Sequence, residues 1–320
     1  MDTFLTFFWL ALGLVLLVKG SDVFVDGSSG MARNFKVPNL VIGLTVMAFG
    51  TSAPEAFIGV RSALDGSEAL AMALGNVIGS DIFNLIFIIG FAAILTPMAI
   101  NFKAIMRDYI VAISGPILLL VMMLIFNDAI PRVGGVIFLF LFFTYVAIVV
   151  KEVLKKRKEN LEINEEFEEI IERPLKRNIL LAIVGLLCIL IGGELTVHNA
   201  VYIAELLGMS PRVIGLTIVA IGTSLPELMI VLMASKRGEN ELAVGNIIGS
   251  SIFNIMFVLG LSGTINPLPI EAGLIFDLGF LLVGSFIFCI FVLSRKKLTR
   301  IEGLIMTLLY MGYLGYVIWW

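Results

Sequence analysis

The chain has 320 residues, of which 59% are hydrophobic and 15% are charged, and its formal net charge is −3. These charged residues are too few to cover a soluble globule of this size, and apolar runs of membrane-spanning length recur along the chain. The charges lie in short loops rather than in a basic stripe, so the sequence gives no sign of a nucleic-acid partner. We therefore predict a multi-span membrane protein whose main partner is the lipid bilayer.

Ten apolar segments are separated by short polar stretches. We place them near residues 3–29, 37–62, 70–96, 105–126, 132–150, 177–205, 211–235, 241–264, 273–293 and 300–319. They predict an all-α membrane protein with ten transmembrane helices in two groups of five. Residues 1–150 form the first five-helix repeat, 151–176 a charged linker and 177–320 the second repeat. The linker is too short to build a core of its own, so we interpret it as a tether or a short surface helix.

The basic residues predict how the chain is oriented. If the amino terminus is outside, the predicted inner loops carry eighteen Lys and Arg residues and the outer loops carry three. An excess of positive charge marks the cytoplasmic side. We therefore expect a multi-pass cell-membrane protein with both termini outside and the linker in the cytoplasm. Because each repeat has an odd number of spans, the two repeats would be inverted relative to each other.

Two motifs occur twice inside predicted spans. Residues 50–55 read Gly-Thr-Ser-Ala-Pro-Glu and residues 222–227 read Gly-Thr-Ser-Leu-Pro-Glu. Residues 75–84 read Gly-Asn-Val-Ile-Gly-Ser-Asp-Ile-Phe-Asn, and residues 245–254 repeat that pattern with Ile in place of Val and Ser in place of Asp. Inverted repeats with polar residues near the bilayer midplane are typical of secondary transporters. The repetition therefore predicts transport at the interface of the two repeats.

The first motif places a carboxylate beside a helix break. Pro54 has no N–H for the carbonyl of Gly50 and crowds it, so we expect a kink one turn before Glu55. Thr51 and Glu55 are four residues apart and share a helix face, as do Ser80 and Asn84 on the next span. Glycines at four-residue spacing would let the facing helices approach closely. These are Gly75, Gly79, Gly245 and Gly249.

The predicted ligands are all oxygens. No Cys or Met sulfur and no His lies in the motifs, which favours a hard cation over zinc, copper or iron. Calcium takes about 6 to 8 oxygen ligands, and two glutamates would neutralise its charge. Sodium ions could occupy the same oxygens, which would couple the two ions by competition. Cys188 and Cys289 lie in apolar spans, where we expect no disulfide.

The repeated motifs resemble the alpha repeats of sodium/calcium exchangers, within the cation/calcium exchanger superfamily. The resemblance covers essentially the whole chain and implies a sodium/calcium antiporter, not an enzyme, with no cofactor and no obligatory protein partner. It implies that calcium binds Glu55 and Glu227 with Thr51 and Thr223. It implies that sodium uses the same glutamates with Ser52, Ser80, Ser224, Ser250 and the carbonyls of Ala48 and Ala220, while Asn84 and Asn254 complete the centre. It also implies alternating access, in which the first and sixth spans slide over a fixed core.

Two positions depart from the pattern. Asn254 stands where many archaeal and potassium-dependent relatives have Asp, so the expected centre has two carboxylates. Asp81 has Ser251 as its repeat mate and lies about 100° around the helix from Ser80. We interpret Asp81 as a residue beside a polar passage or a protonated acid, in preference to a direct ligand. The charged residues at the ends of the first and sixth spans are interpreted as interfacial: Asp22, Asp26, Glu194 and His198.

Two other transport functions stay open, and the sequence argues against a third function, proteolysis within the membrane. A proton/calcium antiporter would replace sodium by protonation of Glu55 and Glu227, although such members usually show Gly-Asn-x-x-Glu in place of the first motif. A cation channel would use the same oxygens without obligatory exchange. An intramembrane protease also needs paired carboxylates, but the chain has no Gly-x-Gly-Asp pattern.

Overall fold

The computed structural model describes residues 3–126, 128–163, 173–206, 220–270, 272–295 and 297–319, and these residues are almost entirely helical. The helices of the first half are α1 (Thr3–Phe35), α2 (Asn39–Ile42), α3 (Ala48–Thr51), α4 (Ala53–Asp65), α5 (Ser67–Ile82), α6 (Ile89–Leu95), α7 (Phe102–Ile125) and α8 (Arg132–Ile163). Those of the second half are α9 (Leu175–Leu206), α10 (Ala220–Thr223), α11 (Leu225–Lys236), α12 (Asn240–Ile252), α13 (Leu259–Ile265), α14 (Ala272–Arg295) and α15 (Arg300–Trp319). The π-helical segments Gly43–Met47, Phe83–Ile88 and Phe253–Val258 join α2 to α3, α5 to α6 and α12 to α13.

The described helices confirm the multi-pass membrane class. Seven continuous helices are long and apolar enough to cross a membrane, and the bent pair Asn39–Thr51 and Ala53–Asp65 raises the number to eight. Of the two other predicted spans, 211–235 lies partly outside the described residues. The other, α15, is a helix over Arg300–Trp319 that is not among these eight. The count of ten and the domain boundaries stay predictions, and α8 continues as a helix beyond residue 150.

The two repeated motifs occupy the centre of the molecule. Within the span Asn240–Ile265, 94% of an apolar 18-residue stretch is buried, and within Ala69–Leu95 the buried share is 78%. In the corresponding stretch of Arg132–Glu152 it is only 28%. Large apolar side chains such as Phe57 and Phe140 are exposed on the periphery. Exposed apolar surface on this scale is stable in contact with lipid tails and not in water. The polar residues therefore lie inside and the apolar residues outside.

Helices α1 and α9 form a closely packed antiparallel pair. Glycines in α1 contact the α9 backbone: a Cβ added at Gly27 would lie 2.6 Å from the Ala182 nitrogen, and one added at Gly13 would lie 2.9 Å from the Gly192 carbonyl oxygen. Small residues permit such close approach of membrane helices. Residues early in α1 contact residues late in α9, and residues late in α1 contact residues early in α9. The two helices therefore run in opposite directions, as inverted repeats require.

The two halves interlock around this centre. Helix α8 of the first half packs on α13 of the second, and α15 of the second half packs on α6 of the first. Two short antiparallel strand pairs also join the halves. Strand β1 (Met98–Ala99) pairs with β4 (Lys297–Leu298), and β2 (Ala129–Ile130) pairs with β3 (Leu268–Pro269). Each half therefore contributes one strand to each pair, as expected for two related halves.

Candidate ion-binding centre

Each repeated glutamate lies in the first turn of a helix that follows a break. In the first half α3 ends at Thr51, Ser52 adopts a turn, and α4 begins with Pro54 in its first turn. The helix axes on the two sides of this break differ by 48°, which confirms the predicted kink. Glu55 in α4 and Glu227 in α11 are each only 1% exposed. The partial positive charge of a helix amino terminus favours a carboxylate at such a position.

Polar contacts cross between the two halves at this centre. Ser52 Oγ donates a hydrogen bond of 3.4 Å to Glu227 Oε1, and Asn254 Nδ2 donates one of 3.1 Å to Asp81 Oδ1. The carboxylates of Glu55 and Glu227 are close enough to repel each other. The motifs separated by about 170 residues in sequence therefore meet in one buried region, as the repeats predict.

Most polar atoms of this region have no hydrogen-bond partner within the described residues. The oxygens concerned are Glu55 Oε2, Glu227 Oε2, Ser80 Oγ, Ser224 Oγ, Ser250 Oγ, Asn84 Oδ1, Asn254 Oδ1 and Asp81 Oδ2. Buried polar atoms without partners are rare because losing their hydration costs free energy. A set of carboxylate, hydroxyl and amide oxygens is chemically suited to a hard cation. No three acidic, Cys or His side chains among the described residues converge to hold a metal, so hydroxyl and amide oxygens would have to complete its coordination.

Gly245 and Gly249 allow the centre to form. A Cβ at Gly245 would lie 2.8 Å from the Leu40 carbonyl oxygen, and one at Gly249 would lie 2.7 Å from the Leu44 carbonyl oxygen. The predicted close approach is thus confirmed for the second motif. The repeat counterpart of that facing segment lies mostly in 207–219, outside the described residues, so the role of Gly75 and Gly79 stays a prediction.

Other predicted ligands contact their own helices or are less buried. Thr51 Oγ1 lies 3.2 Å from the Met47 carbonyl oxygen and 3.3 Å from that of Ala48. The Ala48 carbonyl also accepts the Ser52 N–H at 3.0 Å. Thr223 is half-buried, and Ala220 begins α10 directly after residues that are not described. The roles implied for these four residues therefore stay predictions.

Sequence reasoning missed two features of the centre. Asn246 was not predicted as a site residue, yet it is fully buried and both of its amide atoms lack partners within the described residues. It lies four residues before Ser250 and eight before Asn254, so these three residues share a face; this spacing was the available signal. The π-helical segments that begin at Phe83 and Phe253 contain Asn84 and Asn254. Such segments often occur at functional sites, but no residue pattern in this chain predicts them.

The buried oxygens within a multi-span helical core define a membrane transport protein. Comparisons with known proteins then identify the kind. The family model described as sodium/calcium exchanger protein matches residues 5–151 and 177–319, and the chain belongs to this family.

Similar proteins match over almost their entire length. The sodium/calcium exchanger MaX1 of Methanosarcina acetivorans is 32% identical, and the match covers 96% of this chain and 97% of that protein. The inner membrane protein YrbG of Escherichia coli is also 32% identical, over 97% and 94% of the two chains. A solved structure of the sodium-calcium exchanger NCX_Mj is 34% identical, with a TM-score of 0.82, and the match covers 98% of this chain and 99% of that one.

Proposed function

We propose that this protein is a secondary antiporter that exchanges sodium for calcium across the cell membrane. The observation that carries the proposal is the group of unpartnered buried oxygens around Glu55 and Glu227. Family membership supports it, as does the similarity to NCX_Mj, whose structures include crystals soaked with sodium and calcium. The cations are the transported substrates.

The two carboxylates explain why transport is obligatory exchange. A calcium ion between Glu55 and Glu227 balances two negative charges, and sodium ions can replace it at the same oxygens. The empty centre holds buried carboxylates that repel each other, and a charged group without a partner is costly inside a membrane. The unloaded protein therefore changes state slowly, which couples the movement of one ion to that of the other.

The proposed architecture is ten spans in two inverted five-helix repeats, with residues 151–176 as a cytoplasmic linker. The α1–α9 pair is the moving element and the interlocked remainder is the core. Close packing between α1 and α9 supports their movement as one unit. Glu55 and Glu227 lie on the core helices α4 and α11, so the site stays in place while access to it changes.

Calcium uptake into proteoliposomes tests the proposal. A sodium gradient imposed alone should drive uptake, and a pH gradient imposed alone should not. Uptake driven only by the pH gradient would indicate that protons, and not sodium ions, are exchanged for calcium. Single-channel calcium currents would indicate that the protein is a channel and not an exchanger. Either result would contradict sodium/calcium antiport.

Glu55→Gln and Glu227→Gln test the site itself. Each variant should reduce calcium and sodium transport at least about thirtyfold, because a buried charged ligand is lost while its partners remain. Glu241→Gln is the matched control, since Glu241 is exposed at the start of α12. Size-exclusion profiles would verify folding. Retention of half of the normal calcium exchange in either site variant would contradict the two-glutamate centre.

A further inference from the structure

Asp81 is the buried carboxylate of the centre that the two glutamates leave unexplained. It lies in α5 directly after Ser80 and is 0% exposed. Its Oδ1 atom accepts a 3.1 Å hydrogen bond from Asn254 Nδ2, and its Oδ2 atom has no partner among the described residues. Buried side-chain polar atoms without a partner are uncommon, so the unpaired Oδ2 atom calls for an explanation beyond the link to Asn254, and a bound ion is one.

Among the described residues, the surroundings of Asp81 offer negative charge and no paired positive charge. No Lys, Arg or His of the described residues forms an ion pair with it. Glu227 acts on it electrostatically, and Asp81 acts in turn on Glu55. The three carboxylates nevertheless do not converge as ligands of one metal ion. Asp81 is therefore near the glutamate pair but offset from it.

We propose that Asp81 holds an additional monovalent cation beside the Glu55–Glu227 pair and determines the preference of the centre for sodium. This inference rests on the proposed exchange function. The amide of Asn254 fixes one carboxylate oxygen, and the other is left for the cation. The unpartnered amide oxygens of Asn84 and Asn254 provide neutral ligands of the kind that sodium accepts.

The chemistry favours sodium over calcium at this position. Calcium at the glutamate pair already balances two negative charges, whereas a sodium-loaded centre holds its charge on separate ions that occupy more space. A third carboxylate offset from the pair stabilises the more widely distributed positive charge, since electrostatic attraction falls with distance.

Asp81→Asn tests this role. Calcium uptake would be measured against increasing external sodium in proteoliposomes, together with sodium binding to the purified protein by calorimetry. Half-maximal inhibition of calcium uptake should require at least about tenfold more sodium in the variant than in the wild-type protein. The affinity for calcium in the absence of sodium should change less than about threefold. Asp277→Asn is the matched control, because the Asp277 carboxylate lies in another helix and accepts a 2.8 Å hydrogen bond from Tyr313.

The double variant Asp81→Asn with Asn254→Asp moves the carboxylate across the same hydrogen bond. It should recover at least half of the lost sodium affinity, which a general packing defect would not allow. An unchanged sodium dependence in folded Asp81→Asn would overturn the proposal. If that variant does not fold, the double variant decides: weak sodium binding in its folded form would overturn the proposal as well. A wild-type protein without sodium-driven calcium exchange would instead contradict the proposed function.

Discussion

The α1–α9 pair meets the core differently at its two ends. At the linker end, α1 packs along α11, and Arg237 donates a 2.6 Å hydrogen bond to Asp22 and pairs with Asp26 at 3.5 Å. Arg173, near the end of the linker, also pairs with Asp26. Glu239 accepts hydrogen bonds from Ser29, at 2.9 Å, and from Asn39. Polar contacts therefore hold α1 to its surroundings at the linker end, and we infer that this end is closed.

At the opposite end, the repeat-related residues do not meet. The counterparts of Asp22 and Asp26 at the offset of 172 residues are Glu194 and His198, and both are exposed. The counterpart of Arg237 is Asp65, whose carboxylate accepts a 3.0 Å hydrogen bond from Arg61 within α4. In the described part of the chain, α9 does not pack along α4 as α1 packs along α11. Repeat-related residues that make contacts at one end and not at the other are expected of a transporter in a conformation with one end closed.

Linking α1 to α11 should have the largest effect on this difference. Asp22→Cys with Arg237→Cys, in a chain whose Cys188 and Cys289 are replaced by Ala, would be joined by a bifunctional thiol reagent that spans an Arg–Asp pair. Exchange should fall to background because α1 can no longer leave the core, and a cleavable reagent should restore it on reduction. The corresponding pair at the other end is Asp65→Cys with Glu194→Cys, which should link only when the linker end opens. Full exchange in the linked first pair would show that this end does not open.

Which end faces the cytoplasm follows from labelling a single cysteine. Lys156→Cys in the same cysteine-free chain should react with a membrane-impermeant reagent only from the cytoplasmic side, because the linker belongs to the predicted inner loops, which carry eighteen Lys and Arg residues against three in the outer loops. Arg61→Cys, at the opposite end, is the matched control and should react only from outside. Labelling of Lys156→Cys from outside would reverse the proposed orientation and would assign the closed end to the outer face.

Weakening the contacts without linking them should have a smaller effect. Arg237→Gln should increase the reaction rate of a cysteine placed at buried Ser28 by up to about fivefold, because partly exposed ion pairs contribute only about 0–1 kcal/mol. The melting temperature should fall by less than about 4 °C for the same reason. Arg61→Gln removes an ion pair that does not join α1 to the core and should leave the rate unchanged. A Ser28→Cys rate unaffected by Arg237→Gln would mean that packing alone closes this end.

Local rules predicted where the repeated motifs lie in the fold and part of the geometry of the centre. The fixed ring of Pro54 is sufficient to predict the bend before Glu55, and the internal repeat predicts that its counterpart Glu227 lies opposite. The Ser52–Glu227 contact agrees with that expectation. These features depend on residues close in sequence or on the repetition itself, so they can be read without knowing the packing.

Tertiary packing decided what the sequence could not provide. Asp81 lies 100° around the helix from Ser80 in a regular helix, and only the contact with Asn254 from the other half assigns it to the centre. The hydroxyl of Thr51 contacts carbonyl oxygens of its own helix and also the Glu227 carboxylate, a combination that spacing alone does not predict. The difference between the two ends is also invisible in the motifs, because the motifs are nearly identical and the contacts of Asp22 and Arg237 depend on the state of the protein.

The interlocked halves make the covalent connection between them dispensable for holding the core together. Helix α8 is bound to α13 and α15 to α6, and the paired strands fasten both ends. The elements that form these contacts lie on either side of residues 164–172 in the chain. A gene divided at that point would therefore encode two fragments, each of which carries the complementary surface of the other. An ancestral pair of separate half-length proteins could have assembled in the same way before a fusion joined them.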